Sequence, residues 1–577
     1  MNELEQKVRE RAVTWTRAPF DEVTRMEVEA MMAAGGDELI EAFYTDLEFG
    51  TGGLRGIMGH GTNRMNAYTV AMATQGLANY ILDTQVESPS VAIAHDSRNR
   101  SPEFARVAAE VLAGNGIRAH LFQELRPTPE LSFAVRHLGC TAGIVLTASH
   151  NPKEYNGYKV YWSDGGQIVP PHDAGIIAKV REVTGPSDVR RAAADSSWIE
   201  TISDSVDEAY RDVLRSYRLH EGLVNQGSDL PIVYTPLHGT GAVSVVPALA
   251  ANGFRNVQVV ESQAQPDGDF PTVHSPNPEE GAALEAAIAL GRETQSALVM
   301  GTDPDSDRVG IAVPDGLEWR LLNGNETGAL LVDYVVKATR MSGRLEQGDY
   351  LAKTVVTSDL ISALGREAGL PVHETLTGFK WIADVIRRRE EEPGSFLVGG
   401  EESYGYLIGE AVRDKDAVAA ACLIAECAHA ASEEGKSLLD KLRDIHERHG
   451  VWQESLVSLK KEGRQGKAQI ADMMDAFRND TPQELAGEKV VEFRDYRAGE
   501  MRNMVTGGVS PIGLPLSNVV SFRTELGSLV TARPSGTEPK IKFYFSVHST
   551  SEAAREDYEG TRQQLLNRIE ALKEAVL

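Results

Sequence analysis

The chain has 577 residues, 42% hydrophobic and 25% charged, with 84 acidic against 58 basic side chains and a net charge of −26. At roughly 150 residues per domain, that length calls for about four domains. The acidic excess argues against a nucleic-acid partner, because phosphate backbones attract Lys/Arg surfaces, so an anionic substrate must be met by local amides and isolated cations. Cys140, Cys422 and Cys427 are too few for a disulfide framework and have no zinc spacing, which predicts a reducing compartment. The start, MNELEQKVRERAVTW, reads as a charged helix rather than a signal peptide. The most apolar run, 417–431, contains Glu426 and His429 and is short for a bilayer. The expectation is a cytoplasmic protein with no membrane partner.

Up to about Glu48 the apolar residues recur at helical spacing, and Asp37 is placed to start a helix in DELIEAFYTDLEF. Short apolar strands then alternate with helices. VAIAHD is a strand, SPEFARVAAEVLAGNG a helix ending on glycine, RAHLFQ the next strand, and AGIVLTASHNP a strand that runs into a loop. The rhythm returns from PIVYTPLHGTG through NVQVVE to SALVMGTDPDSDR. It returns again from ETGALLVDYVVKATR through YLAKTVVTS and PVHETLTG to FLVGGEESYGY. Such βαβ alternation implies largely parallel sheets covered by helices. The helical segments DSVDEAYRDVLRSY and KLRDIHERHG read as boundaries, and the remainder, with VVSFRTELGSLVTARP, KIKFYFSV and a last amphipathic helix, reads as α+β. The expected domains are 1–215, 216–322, 323–449 and 450–577. The first three are similar α/β units with mixed sheets and the last an α+β unit.

Four loops join strand-like residues to polar clusters, where open α/β sheets bind ligands. In TASHNP, Ser149 stands between a strand end and His150 and Asn151; a capping serine in an ordinary turn would look the same. Lys159 follows on the strand YNGYKVYW. In GTDPDSDR, Asp303, Asp305 and Asp307 alternate, so three carboxylates can converge on a hard cation such as Mg²⁺. A calcium loop of the EF-hand type would need Gly and Glu where Arg308 and Pro314 stand. In VGGEESYGY, Glu401 and Ser403 can hydrogen-bond vicinal hydroxyls, and in ARPSGTEPK, Ser535, Gly536 and Thr537 with Arg533 can cradle an anion. A fifth, glycine-rich segment, GTGGLRG, carries Arg55 but does not fit GxGxxG, and no Walker A loop exists, so nucleotide binding is unsupported.

GTGGLRG, TASHNP, DPDSDR, GEESYG and RPSGTEP, in this order across nearly the whole chain, resemble the α-D-phosphohexomutase superfamily. The helical N-terminal extension and the phrases TPLHGTG, TGFKWI and VRDKDA resemble its longer phosphoglucomutase/phosphopentomutase branch. The resemblance implies four domains around a central cleft. It also implies interconversion of glucose 1-phosphate and glucose 6-phosphate through a phosphoserine and glucose 1,6-bisphosphate, which doubles as activator. By the same resemblance Ser149 is the phosphorylated serine, and with Asp303, Asp305 and Asp307 it holds Mg²⁺. Arg55 and Lys159 lie near the transferring group, with Lys159 or His150 moving the proton. Glu401 and Ser403 contact the sugar, Arg308 and Lys380 border it, and Arg533, Ser535, Gly536 and Thr537 clamp the second phosphate. The expected partner is a small phosphosugar, and the expected assembly a monomer or homodimer. Within the superfamily the alternatives are a phosphopentomutase, a phosphomannomutase or a sugar-bisphosphate synthase; outside it, a phosphosugar-binding or regulatory protein.

Overall fold

Trp15, Phe20 and Phe43 close a small core of their own beneath the first three helices, Glu3–Thr14, Glu22–Ala34 and Asp37–Phe43. Asp21 caps the second of these by accepting from Thr24 N, and it also accepts from the hydroxyl of Tyr68 at 2.6 Å, which joins the extension to the domain that follows. The computed structural model describes residues 3–50, 52–461, 463–535 and 540–577.

The first sheet contains β1 (Gly53–Ile57), β2 (Ser90–His95), β3 (Arg118–Leu121), β4 (Ala142–Leu146), β5 (Tyr155–Trp162) and β6 (Ile199–Thr201), in the order β1-β5-β4-β2-β3-β6. β2 runs parallel to β3 and β4, whereas β5 is antiparallel to both of its neighbours. Both faces are covered, so the central strands are apolar throughout. The second sheet holds β7 (Ile232–Thr235), β8 (Val257–Val259), β9 (Leu298–Thr302), β10 (Val309–Asp315) and β11 (Glu318–Leu322), in the order β11-β10-β9-β7-β8. The third holds β12 (Tyr350–Thr354), β13 (Val372–Thr375), β14 (Phe396–Glu401) and β15 (Gly405–Ile408), in the order β13-β12-β14-β15. One continuous apolar cluster runs from a face of the first sheet through the second and third.

These three units share one device. A parallel strand runs out, a polar loop turns, and an antiparallel strand returns beside it: β4 to β5, β9 to β10 and β14 to β15. Every such loop therefore sits at the carboxyl end of a parallel strand, anchored at both ends by ladder hydrogen bonds.

The last unit has a separate core. Its antiparallel sheet comprises β16 (Trp452–Lys460), β17 (Glu484–Leu485), β18 (Glu488–Asp495), β19 (Glu500–Asn503), β20 (Val509–Pro511), β21 (Val520–Thr524), β22 (Leu529–Pro534) and β23 (Lys540–His548). Helices Gly463–Asn479 and Tyr558–Val576 pack on it. The expected class, three mixed-sheet α/β units and an α+β unit, is the observed one. GTGGLRG differs: instead of a loop it supplies β1, paired with β5 in the register Gly53↔Lys159 and Arg55↔Gly157. A side chain at Gly53, whose φ is +136°, would strike the carbonyl of Tyr158, so glycine is what admits this edge strand.

Candidate active site

Ser149 follows β4, buried and in the left-handed region at φ 53°. Its amide donates to Thr147 Oγ1 at 2.8 Å, and its hydroxyl donates to Asp303 Oδ2 at 2.6 Å, with His150 Nδ1 3.2 Å away. The carbonyl of Ser149 accepts from Arg98 Nη2 at 2.6 Å; the same guanidinium also takes the carbonyls of Asn151, Pro152 and Tyr155. A serine in a conformation that side chains seldom adopt is thus held from below by one buried cation.

Asp303, Asp305 and Asp307 occupy the β9–β10 loop and are all buried. The amides of Asp307 and Arg308 donate to Asp303 Oδ1, and Thr128 Oγ1 donates to Asp305 Oδ2 at 2.8 Å. Lys159, on β5 beside the strand that leads to Ser149, reaches Asp305 Oδ2 at 2.8 Å and Asp307 Oδ2 at 3.3 Å. Lys415 reaches Asp307 Oδ2 at 3.1 Å from the third domain. The loop is tight: a Cβ on Gly239 would fall 2.3 Å from Pro304 Cα.

The electrostatics follow from this burial. Desolvation and the neighbouring Asp305 and Asp307 push the Asp303 carboxyl well above its usual range. Burial would do the same to Asp307, but Lys415, Lys159 and Arg308 outweigh it and hold Asp307 low. Burial also opposes the charges on Lys159 and Lys415, and the aspartates more than restore them. His150 is driven well below its ordinary value, first by burial and then by Arg308 and Arg55, so it stays neutral.

The donor set fits a hard divalent cation. One oxygen from each aspartate lies within 4.8 Å of the other two. Asp305 Oδ1 and Asp307 Oδ1 are sealed from solvent without a hydrogen-bond partner, the state of carboxylate oxygens that await a ligand.

The remaining residues expected from sequence approach from other directions. Arg55 Nη1 donates to Asn151 Oδ1 at 3.4 Å, at the edge of the serine loop. Arg308 pairs with Glu279 at 2.6 Å and also feels Glu401. Glu401, at the end of β14, accepts from Gly378 N at 2.8 Å and adds to the field that keeps Lys415 charged. Ser403 lies in the β14–β15 turn, tied to the end of the aspartate loop where Val309 N donates to Tyr404 O at 3.1 Å. Lys380, near the start of helix Phe379–Arg388, sits over the Trp381 ring, and burial lowers its pKa. Arg533 lies near the end of β22 beside Tyr544, and Ser535 N donates to Lys540 O at 2.7 Å. Gly536 and Thr537 lie outside the described residues.

Four residues at this site were not singled out from sequence: Arg98, Thr128, Lys415 and Asp414, the last holding Lys415 Nζ at 3.1 Å. Only Lys415 and Asp414 had a signal, standing in the phrase VRDKDA.

The geometry joins a buried serine to a carboxylate cluster at the carboxyl ends of α/β strands. Family models match accordingly: phosphoglucomutase/phosphomannomutase α/β/α domain I over 46–186, domain II over 209–316 and domain III over 323–448. A phosphoglucomutase of Staphylococcus epidermidis is 38% identical over 514 residues, 89% of this chain and 92% of the relative. One from Staphylococcus aureus is 40% identical over 513 residues, 88% of this chain and 90% of the relative. Among solved structures, the phosphoglucomutase parafusin of Paramecium in its open form aligns with a TM-score of 0.65 at 17% identity, covering 88% of this chain and 91% of that one. A phosphoglucomutase/phosphomannomutase family protein of Burkholderia thailandensis aligns at 0.64 and 19% identity, covering 90% and 97%. The two structures speak for the fold, and the sequence relatives for the class, a mutase of the α-D-phosphohexomutase superfamily. Within it, the chain belongs to the phosphoglucomutase/phosphomannomutase family.

Proposed function

We propose that the protein interconverts glucose 1-phosphate and glucose 6-phosphate by passing a phosphoryl group through Ser149. The observation that carries this reading is the 2.6 Å contact between the Ser149 hydroxyl and Asp303, which brings a nucleophile and a carboxylate cluster together from two domains. Phosphoserine gives its phosphoryl group to a sugar hydroxyl: the P–Oγ bond breaks, a P–O bond to the sugar forms, the hydroxyl proton passes to a base, and the departing Ser149 Oγ takes up a proton. The bisphosphate then turns and Ser149 Oγ attacks its other phosphate: the serine proton passes to the base, the P–Oγ bond forms again, the P–O bond to the sugar breaks, and the freed sugar oxygen takes up a proton. Such transfer depends on positioning and charge neutralisation more than on covalent chemistry by the protein. Lys159, kept charged by Asp305 and Asp307, and Arg55 supply positive charge; of the two candidates for proton transfer, Lys159 can act only as the donor, whereas neutral His150, 3.2 Å from the Ser149 hydroxyl, can accept. Asp303, Asp305 and Asp307, with a phosphoserine oxygen, would hold Mg²⁺, which would neutralise charge on the transferring phosphoryl group.

Arg308, Lys380, Glu401 and Ser403 would read the sugar, and Arg533 with residues 535–537 its distal phosphate. The fourth domain would close over the cleft to bring that clamp in, which excludes water. Cys140, Cys422 and Cys427 are buried and unbridged, which supports a reducing, cytoplasmic setting, and no helix among the described residues is long and apolar enough to cross a membrane. A monomer or homodimer acting on a small phosphosugar completes the proposal.

The Ser149→Ala variant is expected to lose roughly 10³-fold or more in turnover of glucose 1-phosphate with catalytic glucose 1,6-bisphosphate present. Intact-mass spectrometry of the wild type is expected to find one phosphate that maps to Ser149, and EDTA to remove activity that Mg²⁺ restores. Near-normal turnover by the variant would rule out the serine's role. Comparing kcat/KM for glucose, mannose and ribose 1-phosphates tests the choice of sugar.

A further inference from the structure

A second cluster of metal-ligating side chains lies away from the active site. His429 and Glu433 stand four residues apart on helix Ala417–Glu433, and so share one face. His220 belongs to the connector that leads from helix Asp204–Ser216 to β7. Its backbone is fixed against the same helix, because Glu426, which is 1% exposed, accepts from the amides of Leu219 and His220 at 2.8 Å each.

The three side chains converge. His220 Nε2 lies 2.8 Å from Glu433 Oε2, and the two imidazole centres are 5.0 Å apart. His429 Nε2 faces Glu433 Oε1 at 3.8 Å, beyond hydrogen-bond range. One ligating atom from each residue lies within 4.8 Å of the others, and the separations bracket the roughly 3.3 Å edge of a tetrahedron with 2.0–2.1 Å bonds. A supporting contact is also in place: Ser228 Oγ, which accepts from Leu230 N at 3.1 Å, lies 3.0 Å from His429 Nδ1. The tautomer whose Nδ1 proton Ser228 accepts leaves the Nε2 lone pair aimed into the gap, as in histidines that bind metals.

We infer that His220, His429 and Glu433 form a binding site for Zn²⁺ or a similar transition-metal ion, which clamps the 219–230 connector onto the third domain's helix. Two imidazoles and a carboxylate are the donors of a borderline cation, whereas the all-oxygen aspartate triad suits a hard one, so the two sites select different metals. The clamp joins the start of the second domain to the third.

The test is equilibrium dialysis of the full chain against buffered Zn²⁺ in excess Mg²⁺, followed by metal analysis. The wild type is expected to retain one more equivalent of zinc than either Glu433→Gln or His429→Gln. Glu433 is exposed, so its variant leaves the packing undisturbed. Zinc is also expected to slow amide exchange across 219–230 in the wild type alone. Equal zinc content in the wild type and both variants would overturn the site. Zinc binding that leaves exchange in 219–230 unchanged would overturn the clamp.

Discussion

Arg98 shows how much of the site rests on one side chain that touches none of the reacting groups. It is 1% exposed, donates to the carbonyls of Ser149, Asn151, Pro152 and Tyr155, approaches Asp96 at 3.4 Å and stacks over Phe270. A planar guanidinium with five donors can serve this fan of acceptors; an ammonium with three cannot. Arg98→Met would strand those carbonyls and leave Asp96 buried without its partner, a cost of about 3–5 kcal/mol. The expected outcome is a large fall in thermal stability together with slow phosphorylation of Ser149, and Arg98→Lys is expected to recover only part of either. Wild-type stability and phosphorylation in Arg98→Met would mean that the loop holds its left-handed turn unaided.

At the scale of elements, the sequence was most legible where local chemistry decides the structure. β4, β9 and β14 are largely apolar runs that stop at polar clusters; the loops after β4 and β9 carry Ser149 and the three aspartates, and β14 itself ends on Glu401. β1 was not legible as a strand, because GTGGLRG has no alternation of apolar residues and owes its extended form to pairing with β5. The contacts of Lys159 with Asp305 and of Lys415 with Asp307 were equally out of reach, since they join segments of different domains. β16 offers a prediction of its own. The Glu454 side chain is half-buried, but its Oε1 is sealed and lacks a hydrogen-bond partner. Burial, reinforced by Glu326 and Asp359 and only partly offset by Ser358, raises its pKa from 4.5 to about 7. Between those values the unfolded chain has released a proton that the folded chain keeps, so stability falls as pH rises through that window. Glu454→Gln is expected to raise the thermal midpoint at pH 8, by the equivalent of about 1–3 kcal/mol, and to change it little at pH 4. Equal effects at the two pH values would assign the gain to packing instead.

At the scale of the molecule, the fourth domain is held to the third by a mixed seam. Val355, Val356 and Leu376 meet Tyr496, Val519 and Tyr544 in an apolar patch. Beside it, Lys353, buried in the third domain, pairs with Asp359 at 3.0 Å and Glu374 at 3.1 Å. Each of these carboxylates takes a second cation from the fourth domain: Arg523 reaches Asp359 at 2.8 Å and Arg494 reaches Glu374 at 3.2 Å. Of these four ion pairs the two arginine ones cross the seam, so removing the arginines weakens docking while Lys353 keeps both acids paired. If each half-buried pair contributes about 1 kcal/mol, Arg494→Gln with Arg523→Gln shifts the closed-to-open balance by roughly 30-fold. On the proposed function Arg533 binds the distal phosphate and travels with the fourth domain, so substrate must then supply the closure energy. KM for the sugar phosphate is expected to rise by up to that factor, and small-angle scattering of the free enzyme to show a larger radius of gyration. High salt is expected to move the wild type partway in the same direction, since screening weakens half-exposed pairs and leaves the apolar patch intact. An unchanged radius and KM in the double variant would mean that the arginines do not hold the seam, and would leave docking to the apolar patch and to the contacts that His446, Arg443 and Glu447 make with Tyr558 and Arg555.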